Sequence, residues 1–106
     1  MRTLEFTAEG QTLKWRRSEK PKAGSKGGYL RAKFDTDSEY EDADMIIVSF
    51  GDASGGHESA CLLGSSKTCP FPDSITDYPV ISVWLTCKTA SGAIFQTNRA
   101  LVRQRR

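Results

Sequence analysis

Residues 51–62 read GDASGGHESACL and place Asp52, His57, Ser59 and Cys61 close together. An acid, an imidazole, a hydroxyl and a thiol are the ingredients of nucleophilic catalysis, and His57 is the only histidine in the chain. Such a site needs nucleophile and base within hydrogen-bond reach and a third group to orient the imidazole. On an extended strand, same-face neighbours stand roughly 6.6 Å apart, so Ser59 and Cys61 share a face with His57 without meeting it. Asp52 lies across the GG break. The apolar run Met45–Phe50 before the stretch and the short run Ser59–Leu63 after it make the segment a hairpin, with Asp, Gly and Ser supplying the turn dihedrals. His57 is then an exposed residue at the start of a strand. No catalytic residue is assigned, and the chain reads as a non-enzyme.

Metal chemistry fits no better. His57, Cys61 and Cys69 have no zinc-site spacing. The acidic run 35–44 would need glycine at its sixth position to be an EF-hand loop, and Tyr40 stands there. No metal ligand and no cofactor are expected. The three cysteines include no C-x-x-C pair. A three-residue loop at Gly64–Ser66 would set Cys61 opposite Cys69, and a two-residue loop would put them on opposite faces. A cytoplasmic site of synthesis argues for free thiols.

The elements that carry these groups read as strands. Leu4, Phe6 and Ala8 alternate with polar residues, and Thr12–Arg16 carries Leu13 and Trp15. Strands follow at 29–35, 45–50, 59–63 and 68–71, then a helical turn at 74–78, and strands at 80–87 and 93–103. Leu4, Phe6, Leu13, Leu30, Ala32, Phe34, Ile46, Val48, Phe50, Leu62, Ile81, Val83 and Leu85 are the expected core, with Cys87 a small core residue. Residues 17–28, RSEKPKAGSKGG, have the composition of a mobile loop. Seven or eight short strands at about 8–12-residue spacing predict an all-β antiparallel sandwich. The 106 residues make one domain with one modest core. No apolar stretch approaches the roughly 20 residues that span a bilayer, and the first ten residues do not read as a secretory signal. No membrane partner is expected.

The net charge of +2 conceals segregation. Lys14, Arg16, Arg17, Lys20, Lys22 and Lys26 face Glu19 alone, whereas Asp35, Asp37, Glu39, Glu41, Asp42 and Asp44 include no base. The chain ends on Arg99, Arg103, Arg105 and Arg106. Nucleic acid is not the expected partner, because the basic loop has no interleaved aromatics and the pI of about 8.5 is modest. Segregated charge suits head-to-tail contact between copies. The expected interface residues are Lys20, Lys22, Lys26, Asp37, Glu39, Glu41, Asp42, Arg103, Arg105 and Arg106.

In order along the chain, LEFTAEGQTLKW, GGYLRAKFDTDSEYEDADMIIVSFGD, KTCPFPDSI and VISVWLTCKTASGAIFQTNRALV resemble a family of small bacteriophage proteins. These occur among the virion-structural genes of phages that infect Gram-positive gut bacteria. The likeness lies in the GQ turn, the YLxAxF strand, the acidic SEY corner, the C-x-x-P turn and the final TN. Many members carry tryptophan where Tyr40 stands and have a shorter basic loop. The resemblance implies an immunoglobulin-like β-sandwich and a non-enzymatic tail- or baseplate-associated subunit. Its partners would be other virion proteins or copies of itself, in the virion after synthesis in the bacterial host cytoplasm. Other readings are a capsid decoration protein, an intracellular anti-defence protein, or a carbohydrate-binding adhesion module using a platform of Trp15, Tyr29 and Trp84.

Overall fold

The structure is a computed structural model, and it describes residues 1–16 and 19–105. Nine strands follow in order: β1 (Arg2–Glu9), β2 (Thr12–Arg16), β3 (Leu30–Thr36), β4 (Ala43–Asp52), β5 (Glu58–Leu62), β6 (Thr68–Pro70), β7 (Val80–Thr89), β8 (Ile94–Gln96) and β9 (Ala100–Arg103). A single 3-10 turn, Ser38–Tyr40, lies between β3 and β4. One sheet has the order β2-β1-β3-β6. The other runs β5-β4-β7, with β8 and β9 paired in succession along the free edge of β7. The chain is an all-β, immunoglobulin-like sandwich.

Two features depart from the expected pattern. The final strand, expected as one, is split at Thr97–Arg99, which raises the number to nine. Secondly, the sandwich is not wholly antiparallel, because β1 and β3 pair in parallel from Arg2↔Leu30 to Ala8↔Thr36. Parallel neighbours need a crossover of a dozen or more residues. The hairpin strand β2 and the glycine-rich loop after it supply that length, carrying the chain from one side of β1 to the other.

Strand alternation sets the core. Inward side chains of both sheets meet in one cluster, with Phe6 stacked on Phe34 at 5.1 Å and Phe50 against Phe71 at 4.9 Å. Truncating such a buried ring to alanine typically costs about 3–5 kcal/mol. Twelve of the thirteen expected core residues are buried. Leu62 is the exception at 65% exposure, and Leu63 is buried in its stead. The register decides this: Cys61 sits opposite Val48 on the core face, so Leu62, opposite Ile47, must point outward.

The two sheets are stitched on the β2–β9 side by Asn98. Its side-chain oxygen accepts from the Leu13 amide at 2.7 Å and its amide nitrogen donates to the Leu13 carbonyl at 3.0 Å. Its own backbone amide donates to the Gln11 carbonyl at 3.2 Å. One residue beyond β8 thus acts as a partner for edge strand β2 in the opposite sheet. Next to it, Thr97 stays with β7: the Leu85 amide donates to its hydroxyl at 3.0 Å. The split of the last strand follows from these opposed attachments. At the top of the sandwich the buried Tyr40 hydroxyl donates to the Gly10 carbonyl at 2.6 Å, tying the β3–β4 corner to the β1–β2 turn.

Asn98→Ala should leave the Leu13 amide and carbonyl without these partners and lower the stability by about 1–3 kcal/mol in urea titration. Tyr40 gives a pH signature. Burial first, then neighbouring Cys87, Asp37 and Glu39, pushes its phenol up to about 12. An unfolded phenol titrates near about 10. The folded chain therefore keeps a proton that the unfolded chain has lost. Stability should be full below pH of about 10 and fall as pH rises towards about 12, measured by urea midpoints across that range. Tyr40→Phe should flatten that fall.

Candidate interaction surface

The stretch 51–62 is the β4–β5 hairpin. The Asp52 amide donates to the His57 carbonyl at 2.9 Å and the Gly55 amide to the Asp52 carbonyl at 2.8 Å. The Asp52 carboxylate accepts from the Ser54 hydroxyl at 2.6 Å and the Ser54 amide at 3.2 Å. Those bonds hold its carboxyl below the ordinary value. Gly55 takes the turn's left-handed position at φ +86. Asp52 therefore orients the turn and not the imidazole. His57 is exposed, its ring 6.3 Å from that of Tyr78, and Cys61 packs against the core cluster that holds Cys69. Among the described residues, no three or more His, Cys, Asp or Glu side chains gather where they could hold a metal ion.

The acidic run and the expected basic contact residues lie at opposite ends, with Lys67 and Lys88 also at the acidic end and Asp73 and Asp77 at the basic one. β1 rises from Arg2, beside Leu30, to Glu9, beside Thr12, and its eight residues span about 26 Å. At the upper end lie Glu9, Asp35, Asp37, Glu39, Glu41, Asp42 and Asp44. Glu39, Glu41 and Asp42 are exposed. Asp37 is partly committed, because its carboxylate accepts from the Glu39 amide and caps the 3-10 turn. At the lower end lie Lys20, Lys22, Arg103 and Arg105, all exposed. Arg106 and Arg17 fall outside the described residues.

The basic loop, whose composition predicts mobility, is hydrogen-bonded to the rest of the chain where it is described. Across residues 20–29 it is pinned to the C-terminal segment and to the turn before β7. The Ala23 amide donates to the Arg105 carbonyl at 2.8 Å, the Arg105 amide to the Pro21 carbonyl at 2.9 Å, and the Gly24 amide to the Thr76 carbonyl at 2.8 Å. Pro21 is buried. Lys26, one of the expected contact residues, is engaged within the chain. Its ammonium group donates to the Asp73 carbonyl at 2.8 Å and pairs with the Asp77 carboxylate at 2.9 Å. Its charge is spent inside the chain, fixing the loop.

The outer faces of the two sheets differ sharply. On the four-stranded sheet, Arg16, Glu5 and Lys33 form one cross-strand row, with Lys14 and Arg31 beside it. On the five-stranded sheet, the outward row Leu62–Ile47–Thr86–Gln96 lies beside the row Met45–Lys88–Ile94. Leu101 faces outward opposite Ser82. Met45, Leu62, Ile94 and Leu101 are four of the six large apolar side chains left exposed. Trp84 lies in the middle of this face at 7% exposure, with the Arg99 guanidinium stacked 3.8 Å above its ring. Arg99 in turn reaches Glu58 at 3.7 Å. A shallow groove lined by Glu41, Asp44, Met45, Leu62 and Lys67 joins the apolar face to the acidic end.

The aromatic platform is not assembled. Trp15 turns towards the core opposite Phe6, Trp84 sits on the outer face of the other sheet, and Tyr29, 53% exposed, lies at the lower end. The residues that the sequence reading missed are Met45, Leu62, Ile94 and Leu101. Each stands one position from a core residue or at a short strand's end, so only the register distinguishes outward from inward. Compared with family models, curated proteins and solved structures, the chain matches none.

Gly51 is what lets Trp84 lie flat. A Cβ there would stand 3.0 Å from the Ser82 hydroxyl and 3.4 Å from both the Trp84 ring and the His57 carbonyl. Gly51→Val should destabilise by about 1–3 kcal/mol and raise the tryptophan emission wavelength as Trp84 is lifted off the sheet.

Proposed function

We propose that this chain is a non-enzymatic interaction module of a bacteriophage particle, a tail- or baseplate-associated subunit that assembles with other virion proteins or further copies of itself. The observation that carries the reading is the distribution of its surface. One sheet face gathers most of the exposed large apolar side chains, and the exposed acidic group Glu39, Glu41 and Asp42 lies at the end opposite Lys20, Lys22, Arg103 and Arg105. Large apolar side chains left exposed on one face are a common mark of a partner site. Charge of opposite sign at the two ends orients the partner and speeds encounter. The resemblance of its segment order to small phage virion proteins, as read from the sequence, points the same way. Nothing in this mechanism requires a cofactor or a reacting group.

Mass spectrometry of purified particles tests it, with copy number. Tens of copies per particle fit a tail or baseplate subunit and hundreds a capsid decoration protein. Absence from the particle overturns the proposal. In sedimentation of the isolated chain at low salt, Leu62→Asp with Ile94→Asp should reduce association while leaving the fold intact, because both positions are exposed. Lys20→Ala with Lys22→Ala should weaken association and flatten its salt dependence. Lys26→Ala should do neither. It should lower thermal stability slightly, in keeping with an exposed ion pair worth at most about 1 kcal/mol.

A further inference from the structure

Cys61, Cys69 and Cys87 are all free thiols. Cys87 is buried on β7, opposite Ile46 and Phe95. The other two are placed differently. Cys61 sits on β5, an edge of the five-stranded sheet, and Cys69 on β6, an edge of the four-stranded sheet. The short connection 63–67 folds these edges towards each other, held by the Lys67 amide to the Gly64 carbonyl at 3.0 Å and by the Phe34 amide to the Lys67 carbonyl at 2.9 Å. The register turns Cys61 inward opposite Val48 and Cys69 inward opposite Ala32. Both thiols therefore turn into the space between the sheets, Cys69 within the core cluster and Cys61 packed against it.

We propose that Cys61 and Cys69 form an oxidisable pair, taking up a small-molecule disulfide through Cys61 and closing to a covalent cross-link between the two sheets. Exposure fixes the order of events. Cys61 is half-buried and can be reached from solvent, whereas Cys69 is 3% exposed and cannot. The Cys61 thiolate attacks one sulfur of the reagent RSSR. The reagent's S–S bond breaks, one RS⁻ leaves and picks up a proton, and Cys61 carries a mixed disulfide. Cys69 then gives up its proton and attacks the Cys61 sulfur, expelling the second RS⁻. The protein loses two protons and two electrons, and the reagent becomes two thiols. Burial and the neighbouring thiol push Cys69 up, so closure is the slow step. A disulfide needs the Cα atoms within about 4.4–6.8 Å, so closure requires the 63–67 turn to bring β5 and β6 within that span. The proposal does not depend on the chain's place in a phage particle.

The test is incubation of the native full chain with oxidised glutathione, followed by intact-mass spectrometry and peptide mapping. The expected product is one intramolecular Cys61–Cys69 link, with the mass of two hydrogens lost and Cys87 free. The melting temperature should rise by roughly 5–15 °C and return on adding a dithiol. Cys69→Ser should stop at a stable glutathione adduct on Cys61. Cys61→Ser should take up neither adduct nor cross-link. Three outcomes would overturn the proposal: wild-type protein resting at the Cys61 adduct, a link through Cys87 or between chains, or no reaction under native conditions. Peptide mapping of the wild type decides among them even if a serine variant folds poorly.

Discussion

A β-sandwich has two sides where edge strands of opposite sheets come near each other without a shared ladder, and this fold stands on how those sides are closed. On one side a single asparagine does it. Asn98 leaves the five-stranded sheet and offers its side-chain amide to Leu13 as a neighbouring strand would offer its backbone. Thr97 beside it remains bonded to β7. On the other side the chain itself passes from β5 to β6 through the 63–67 turn. Between the two closures the apolar faces have no route apart, and the phenylalanine pairs pack as one layer. An edge strand finished in this way is also protected from pairing with a stranger.

Much of the fold was legible in the sequence because period-two alternation is a local signal. Ile81, Val83, Leu85 and Cys87 announce their face without help from the rest of the chain. The hairpin at 51–62 was legible for the same reason, since Asp, Gly and Ser there bond within the turn. What escaped depends on distant partners. Leu62 and Leu63 are equally apolar neighbours, and the pairing of Cys61 with Val48 chooses between them. The glycine- and lysine-rich loop has the composition of a solvated segment, yet its amides and carbonyls meet Arg105 and Thr76, some eighty and fifty residues away. The parallel pairing of β1 with β3 leaves no mark in either strand. The final TN was noted as a recurring dipeptide, but its division of labour between two sheets is visible only in three dimensions.

The same contrast applies to the surface. Segregated charge could be read along the chain, and its placement at opposite ends follows once β1 and β3 are laid side by side. The structure then sorts the charges by availability. Lys26 and Asp37 serve the fold, while Lys20, Lys22, Glu39, Glu41 and Asp42 stay exposed. The exposed apolar residues could not be read in this way, because they come from β4, β5, β8 and β9 and reach one face only through the ladder. A face assembled from so many strands is rigid, which lowers the entropy lost when a partner settles on it.

The bond between Leu13 and Asn98 joins residues 85 positions apart, and Lys20 and Arg105 are separated by the same interval. The first hairpin leaves the ribosome long before its closing partner is made. Until the last ten residues emerge, β2 remains an open edge and the loop after it has no anchor. Contacts this distant in sequence put folding in the slow range of small domains, milliseconds to seconds. The edge of the first hairpin and the loop after it are therefore fastened only when Asn98 and Arg105 arrive.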